Sequence, residues 1–443
     1  ADEPPGAALQ SGGRWHGRKT GRLENGRLGE SMEEKTHLSG INLFFLWFGA
    51  AVSVAEILTG GYLAELGAAK GLWAILLGHL AGTLLLVLAG LIGFREKVPA
   101  IMSTRISFGK QGSYLISVIN ILQLVGWTAI MIIEGGTAMN VIAVSLWNFD
   151  HPTLISCLVG SLVGLWVFWG VKGFKRINTL AAGLLLILTV VMSWVVFTHP
   201  AAAAEAVKQK GAFGMGFELS IIMPLSWFPL ISDYTSLART KKGALIAPFC
   251  GYFIGSCWMY LIGMAGGLLS GSPDPTKIML AANLGLTALA ILGLSTVTTT
   301  FLDVYSAGIS LINIFPRVND RMAAVGFTAI GTAIALVFPI ERYTDFLYVL
   351  GSVFSPLIAI LLSDYFILKC DNRGRRADAV ATVSLVAGIA FYYLIKAQNL
   401  PVGSTLSTIV FTAALHLVLR RGQKRFRCKS TSSRSLWSNA SMP

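Results

Sequence analysis

Residues 42–66 read NLFFLWFGAAVSVAEILTGGYLAEL, a long and mostly apolar stretch. The hydrocarbon core of a bilayer is about 30 Å thick, and an α-helix of about 20 apolar residues crosses it. Eleven further stretches of this kind follow, so we predict an all-α polytopic membrane protein with about twelve transmembrane helices. The predicted spans are 42–66, 72–94, 113–138, 153–171, 177–197, 217–236, 243–269, 286–313, 322–340, 343–367, 377–397 and 402–420.

The composition of the whole chain points to the same environment. Of its 443 residues, 54% are hydrophobic and 13% are charged, whereas ordinary soluble domains carry about 25% charged residues. The net charge of +13 would suit a nucleic-acid-binding protein if the basic residues formed one patch, but they are spread over predicted loops and tails. We therefore expect a lipid bilayer around the chain, no nucleic-acid partner and no obligatory protein partner.

Lysine and arginine residues are unevenly distributed between alternate loops. The loops after the even-numbered spans are rich in them: Arg95, Lys97, Arg105, Lys110, Lys172, Lys175, Arg176, Arg239, Lys241, Lys242, Arg317, Arg321, Lys369, Arg373, Arg375 and Arg376. The opposite loops carry only Lys70, Lys208, Lys210, Lys277, Arg342 and Lys396. Because cytoplasmic loops carry the excess of basic residues, we predict a multi-pass protein of the cell (plasma or inner) membrane with both termini in the cytoplasm.

Two of the predicted spans contain residues that interrupt a helix. The first span contains Gly49, Ser53 and Gly60, and the sixth contains Pro224 and Pro229. Secondary transporters build their substrate sites from interrupted helices at corresponding places in two halves of the chain. The pattern therefore predicts a secondary transporter with its site at these two spans.

Acidic residues at membrane depth are candidates for function. Glu56 lies near the middle of the first span, where a carboxylate costs at least about 2.5 kcal/mol on insertion scales, so it normally faces a cavity, an ion or a partner. We expect Glu56 to contact substrate; the alternative is a protonated acid that is hydrogen-bonded to a neighbouring helix. Asp364 lies at the cytoplasmic end of the tenth span, where we expect a solvated or gating role.

Polar and aromatic residues of two other spans add to the candidate site. On the third span, the flat indole of Trp127 offers a stacking surface for a heteroaromatic ring, and Gln123 lies one turn earlier on the same face. On the eighth span, Ser295, Thr299 and Asp303 are spaced four residues apart and share one face. The alternatives are that Trp127 only packs, and that the hydroxyl groups bond the main chain one turn back.

The sequence offers little support for an enzyme. It contains no HExxH, GxSxG or Walker motif, and its six histidines are scattered. His79 lies inside a span, where a lone histidine is more often structural. We predict no catalytic residues and no cofactor.

Five short strings are familiar in their order and spacing: TGG at 59–61, TRISFGKQGSYL at 104–115, LQLVGW at 122–127, ISDYT at 231–235 and SDYF at 363–366. Through them the chain resembles the nucleobase-cation-symport-1 family over about residues 40–419. Within that family it most resembles the hydroxymethylpyrimidine permease branch, which is close to the cytosine permeases.

The resemblance implies a LeuT-like fold, in which spans 1–5 and 6–10 form two inverted repeats and two helices trail behind. It also implies a substrate site between spans 1, 3, 6 and 8. There Trp127 matches the ring-stacking aromatic, and Ser295 falls where the cytosine permease branch has a substrate-binding asparagine. A second stacking aromatic of the family falls on Pro224, so we expect Trp227, three residues later, to replace it.

A sodium site is also implied by the resemblance. Members that use sodium hold it with two main-chain carbonyls of span 1, here Gly49 and Val52, and with two hydroxyl groups of span 8, here Thr298 and Thr299. Oxygen ligands of this kind suit a hard cation. The coupling cation is therefore expected to be Na⁺ or H⁺.

These predictions divide the chain into four parts. Residues 1–39 are Gly- and Arg-rich and lack an apolar signal segment, so we expect a disordered cytoplasmic tail. Residues 40–367 are expected to form the transport core, residues 368–420 the two trailing helices, and residues 421–443 a basic, Ser-rich cytoplasmic tail.

The predicted function is cation-coupled import of a pyrimidine-type heterocycle, with hydroxymethylpyrimidine, a thiamine precursor, as the predicted substrate. Cytosine, a purine or an allantoin-like ring are the alternatives for the same fold. A membrane sensor or scaffold that binds the ring without moving it is the alternative from another class. The predicted substrate contacts are Glu56, Gln123, Trp127, Pro224, Trp227, Ser295 and Asp303.

Overall fold

The structure is a computed structural model, and it describes residues 37–169, 171–198, 211–398 and 400–422. The side chains of residues 171–179, Ala182 and Thr298 are outside this description. The two predicted terminal tails lie outside the described residues, apart from residues 37–39 and 421–422.

The described residues form helices, together with one isolated bridge between Leu38 and Ala238. A 3₁₀ turn follows α2 and another precedes α14, and a π turn, Ser363–Leu368, follows α14. The α-helices are α1 Gly40–Ala51, α2 Val54–Tyr62, α3 Ala68–Glu96, α4 Ala100–Ser103, α5 Arg105–Trp147, α6 Pro152–Trp169, α7 Val171–Thr198, α8 Phe213–Ser226, α9 Phe228–Thr235, α10 Lys241–Ser270, α11 Pro275–Ala281, α12 Gly285–Ile314, α13 Asp320–Ala335, α14 Tyr343–Leu362, α15 Ala379–Lys396 and α16 Gly403–Gly422.

Most of these helices are long and apolar enough to cross a membrane. In the described part of the chain, eight helices meet this test singly, and the bent pairs α1–α2 and α8–α9 meet it when each pair is taken as one span. Two predicted spans coincide with shorter apolar helices, namely α13 with 16 residues and Gly183–Thr198 at the end of α7. Large apolar side chains such as Trp194 and Leu394 are exposed on the outside, as expected for a surface in contact with lipid.

Side chains at the helix starts satisfy main-chain N–H groups that have no helical partner. Ser39 Oγ accepts from Asn42 N at the start of α1, and Thr240 Oγ1 accepts from Gly243 N at the start of α10. Asp378 does the same for α15 through Ala381 N. At the ends of α3 and α5 the chain turns through left-handed residues, which stop a helix cleanly.

Glycines allow α2 and α10 to approach closely. A Cβ atom at Gly60 would overlap the main chain of Tyr260, and one at Gly263 would overlap the carbonyl oxygen of Ile57. Small residues at such contacts let membrane helices pack backbone to backbone. The side chains of α10 one and two turns earlier are thereby brought next to α2.

The trailing helices α15 and α16 are tied to the rest of the protein by buried polar contacts. Glu218 of α8 accepts hydrogen bonds from Tyr392 of α15 and from Thr405 of α16. At the other end, Arg420 of α16 forms ion pairs with Asp364 and Asp378. The expectation of a solvated Asp364 is therefore wrong, because this side chain is fully buried and paired with a cation from a distant helix.

Candidate substrate site at two helix breaks

The first span is broken near its middle. The axes of α1 and α2 differ by 56°, and Val52 between them has a non-helical ψ of 82°. Ser53 begins α2 by accepting a hydrogen bond on Oγ from Glu56 N, 3.4 Å away. A break of this kind frees main-chain groups inside the membrane, and such groups occur where they line a cavity or a site.

The second break separates α8 from α9 at Trp227, where the helix axes differ by 43°. Pro224 and Pro229 lie on either side of it, and proline removes the N–H that would continue the helical hydrogen bonds. The carbonyl oxygen of Ser226 instead accepts a hydrogen bond from Gln123 of α5. Both predicted interruptions are therefore present in the structure.

One face of α5 carries Asn120, Gln123 and Trp127, and Gln123 contacts the second break. Gln123 Nε2 donates to Asn120 Oδ1 at 2.9 Å and to the Ser226 carbonyl oxygen at 3.1 Å. Because a carbonyl oxygen can only accept, this bond fixes the orientation of the Gln123 amide. Gln123 Oε1 is then buried without a hydrogen-bond partner among the described residues, and the residue is 3% exposed.

Trp127 lies one turn after Gln123 and is 9% exposed. Its ring makes edge contacts with Tyr343 and Phe346 of α14, at centroid distances of 6.2 Å and 5.2 Å. Among the described residues no aromatic ring stacks in parallel on it. Tyr343 also shares a 2.7 Å hydrogen bond with Thr59 of α2, so Trp127 lies where α2, α5 and α14 meet.

The two candidate residues at the second break lie in different surroundings. The ring of Trp227 contacts Trp47 and Tyr252 edge to face, at 5.9 Å and 6.4 Å, and it also packs in a cluster with Leu124 of α5. The ring of Pro224 instead packs against Gly82 of α3. Of the two, Trp227 is the one that lies next to α5.

Glu56 faces α10. Its Oε1 accepts a hydrogen bond from Tyr252 Oη at 2.7 Å, and its Oε2 accepts one from Ser256 Oγ at 2.6 Å. The residue is 1% exposed. This geometry matches the alternative of an acid bonded to a neighbouring helix, and contact between Glu56 and substrate stays a prediction.

Some polar groups on one face of α12 form hydrogen bonds within the helix itself. Ser295 is buried, and its carbonyl oxygen accepts a 2.9 Å hydrogen bond from Thr299 Oγ1. Asp303, one turn further, is partly exposed. Asp303 shares a helix face with Ala307, which belongs to the same cluster as Leu124 of α5.

The predicted sodium ligands come from the first break and from α12. Val52 and Leu292 of α12 belong to the same hydrophobic cluster. The Gly49 carbonyl oxygen accepts a hydrogen bond from Val52 N at 3.2 Å. Thr299 donates its hydroxyl hydrogen to the main chain, which leaves its oxygen lone pairs for a cation. The Thr298 side chain lies outside the described residues.

Comparison with known proteins identifies the family of this chain. Residues 32–421 match the family described as permeases for cytosine/purines, uracil, thiamine and allantoin. The chain belongs to this permease family. A curated relative, the cytosine permease of Escherichia coli (strain K12), is 26% identical over 388 residues, which cover 84% of this permease and 91% of the relative.

Solved structures share the fold of this permease. The inward-facing conformation of Mhp1 superposes with a TM-score of 0.73 at 17% identity, covering 87% of this permease and 91% of that chain. A closed conformation of Mhp1, a nucleobase-cation-symport-1 family transporter, with bromovinylhydantoin bound gives 0.72 at 18% identity and covers 87% and 92%. The predicted family and the all-α polytopic fold class are confirmed, and family membership confirms a transporter rather than an enzyme.

Sequence reasoning missed the side chains of the permease that surround Glu56. Tyr252, Ser256 and Tyr260 recur every four residues inside the apolar run of α10, so they form one polar stripe on a single helix face. That period was a signal that could have found them. His79 was interpreted as structural, yet its Nε2 lies 2.7 Å from Ser256 Oγ.

Proposed function

We propose that this permease is a cation-coupled importer of a pyrimidine-type heterocycle, with hydroxymethylpyrimidine, a thiamine precursor, as its substrate. The observation that carries the proposal is Gln123 Oε1, a buried acceptor without a partner in the described part of the chain. Buried polar groups normally have a hydrogen-bond partner. A 4-aminopyrimidine supplies one, because its exocyclic amino group can donate an N–H to this oxygen.

The position of Trp127 supports a flat, aromatic cargo. It lies one turn from Gln123 on the same face of α5, and its two ring contacts within the protein are edge-on. An aromatic ligand can therefore stack on the indole while its amino group reaches Gln123. Offset stacking contributes about 0.5–1.5 kcal/mol beyond the burial of area.

The related proteins favour the same class of ligand. The Escherichia coli relative is a cytosine permease, and cytosine is itself a 4-aminopyrimidine. The bound Mhp1 structure holds bromovinylhydantoin, which is also a ring that carries N–H groups. Cytosine, a purine or an allantoin-like ring are the alternatives for this permease.

The proposal extends to further contacts. Trp227 at the second break, with Ser295 and Asp303 on α12, is proposed to complete the substrate site, and Pro224 is proposed to shape the break. The predicted contact of Glu56 with substrate is not carried into this proposal, because its carboxyl group faces α10, where Tyr252 and Ser256 hydrogen-bond to its two oxygen atoms.

Sodium is the proposed coupling ion at the first break. Its ligands are the carbonyl oxygens of Gly49 and Val52 and the hydroxyl groups of Thr298 and Thr299, all of them oxygen donors that suit a hard cation. The proposed location is the cell (plasma or inner) membrane. The excess of basic residues in the loops that follow the even-numbered spans supports cytoplasmic termini.

A competition assay tests the substrate. Purified permease in proteoliposomes exchanges labelled hydroxymethylpyrimidine in counterflow, and unlabelled cytosine, uracil, adenine and allantoin compete with it. The decisive competitor carries a methyl group in place of the 4-amino group, because it keeps the shape and removes the N–H donor.

We expect the methyl compound to compete roughly 5- to 150-fold less well, from the cost of about 1–3 kcal/mol for leaving a buried acceptor unpaired. Equal competition by the two compounds contradicts the role of Gln123. Saturable binding without any counterflow would instead indicate a sensor or scaffold.

A further inference from the structure

Three buried side chains form a continuous chain of hydrogen bonds between α2, α10 and α3. Ser256 Oγ lies 2.6 Å from Glu56 Oε2 and 2.7 Å from His79 Nε2. His79 Nδ1 lies 2.9 Å from the carbonyl oxygen of Ile75. Ser256 and His79 are both 0% exposed. We call Glu56, Ser256 and His79 the proton triad.

The hydrogen atoms of this chain can be assigned from donor and acceptor chemistry. The Ile75 carbonyl oxygen can only accept, so His79 Nδ1 carries a hydrogen. Ser256 has one hydroxyl hydrogen and two partners. If Ser256 donates to Glu56, then His79 Nε2 must also carry a hydrogen, which makes the imidazole a cation beside a carboxylate.

The second arrangement is neutral. If Ser256 donates to His79 Nε2, then Glu56 must be protonated and must donate to Ser256 Oγ. Moving the Glu56 proton to Ser256, and the Ser256 proton to His79, converts this arrangement into the first. Both therefore contain the same number of protons, one more than a carboxylate with a neutral imidazole.

Loss of that proton has a structural consequence. Ser256 then donates to Glu56, and its oxygen faces His79 Nε2 across 2.7 Å with lone pairs on both atoms. This contact between α10 and α3 must open, and a buried carboxylate is left without a counter-charge. Burial of an unpaired charge is strongly unfavourable, so the hydrogen-bonded arrangement of the triad requires the proton.

The groups around Glu56 offer no substitute charge. Tyr252 donates a hydrogen bond to it, and Cys257 and Tyr260 of α10 and Tyr343 of α14 are near enough to interact with it electrostatically; each of these is neutral when protonated. No lysine or arginine among the described residues of α5, α8 or α11, or of any other described element, lies within ion-pair distance of it. Protonation within the triad is therefore the means of neutralising Glu56 that this structure offers.

We propose that the proton triad binds one proton that travels with the substrate, as a second coupling ion beside the proposed sodium. This inference rests on the proposed function. Glu56 lies in the first turn of α2, directly after the 56° break, and Ser53 in that break is partly exposed. A change at the break therefore admits water one turn from the triad, whereas burial of Glu56, Ser256 and His79 shields the proton in this structure.

The Glu56→Gln variant separates proton transport from substrate exchange. The Gln carbonyl accepts from Tyr252, its amide donates to Ser256 Oγ, and Ser256 donates to neutral His79. Each hydrogen bond of the protonated state is thereby retained, but no proton can leave. We expect the counterflow rate of this variant to stay within about twofold of wild type. Its substrate accumulation under an inward proton gradient should be at least tenfold lower than that of wild type.

The matched control is Glu218→Gln, because Glu218 is equally buried and hydrogen-bonded but has no histidine in its hydrogen-bond chain. It should keep its response to the proton gradient. A pH dye inside the vesicles reports proton entry directly, and wild type should show proton entry on addition of substrate.

Two results would overturn the proton triad. One is proton-driven accumulation by Glu56→Gln at the wild-type level. The other is wild-type permease that exchanges substrate in counterflow without substrate-dependent proton entry. In both cases counterflow itself is intact, so the proposed permease function stands and the failure belongs to the triad alone.

Discussion

The contact between Gln123 and the exocyclic amino group can be tested by changing both partners. Gln123→Met keeps the length of the side chain and removes its polar atoms. The variant leaves Asn120 Oδ1 and the Ser226 carbonyl oxygen without their donor, so it binds every ligand less well or folds less stably. That cost is common to all ligands, and it cancels when two ligands are compared on the same variant.

The expected magnitude follows from the orphan acceptor. Wild type should prefer the 4-amino compound over its 4-methyl analogue by about 1–3 kcal/mol, because the methyl group leaves Gln123 Oε1 buried and unpaired. Gln123→Met has no such oxygen, so its preference should fall below about 0.5 kcal/mol, roughly a twofold difference in affinity. The difference between the two preferences is the coupling energy of the contact.

The assay is competition by both compounds for labelled hydroxymethylpyrimidine in counterflow, on wild type and on the variant. Asn120→Ala serves as the control, since Asn120 contacts Gln123 but is not proposed to touch substrate. It should retain a preference for the amino compound. An unchanged amino preference in Gln123→Met would refute the contact, whatever the absolute affinities.

Three other predictions follow from the same structure. Trp127→Ala should weaken binding more than tenfold, because it loses about 0.5–1.5 kcal/mol of stacking and also about 25 cal/mol for each Å² of apolar area that the indole buries against the ligand. Trp127→Phe should retain most of the affinity, and equal binding by wild type and the Ala variant would remove Trp127 from the site. Thr299→Ala should abolish stimulation of uptake by sodium while leaving its response to pH, and sodium stimulation at the wild-type level would exclude Thr299 as a ligand. In a background without native cysteines, a membrane-impermeant maleimide applied to whole cells should label Lys70→Cys but not Arg321→Cys, both of which are exposed, and the reverse pattern would invert the orientation.

Much of the fold could be predicted because it depends on local sequence. Apolar stretches of about 20 residues mark membrane helices directly, and each predicted span coincides with helical structure. The breaks were visible because proline and the Gly-Ser pattern act on their own helix. Pro229 and Ser53 interrupt the helical hydrogen bonds whatever the neighbouring helices do.

Contacts between distant helices could not be predicted in this way. Asp364 was expected to be solvated, but its partner Arg420 is 56 residues away in sequence, and no local pattern links the two. The hydrogen bonds of Glu56 to α10 were not visible in the sequence either. They depend on which face of α2 meets α10, where Gly60 and Gly263 allow a close approach.

The site itself was predicted only in part. Trp127 and Gln123 were identified from their shared helix face. In the structure Gln123 contacts the second break and Trp127 contacts α14, and their contact with substrate stays a prediction. The unpaired state of Gln123 Oε1 was not visible, because it follows from a hydrogen bond to a carbonyl group on another helix. Hydrogen-bond assignment of this kind requires coordinates.

The most direct test of cation-coupled import is uptake of labelled hydroxymethylpyrimidine by the purified permease in sealed proteoliposomes with an imposed inward sodium and proton gradient. We predict accumulation several-fold above the external concentration, followed by return to equilibrium when ionophores dissipate the gradients. Uptake that only equilibrates, with or without the gradients, would contradict cation coupling, and the absence of uptake by a protein that still binds the ligand would contradict transport.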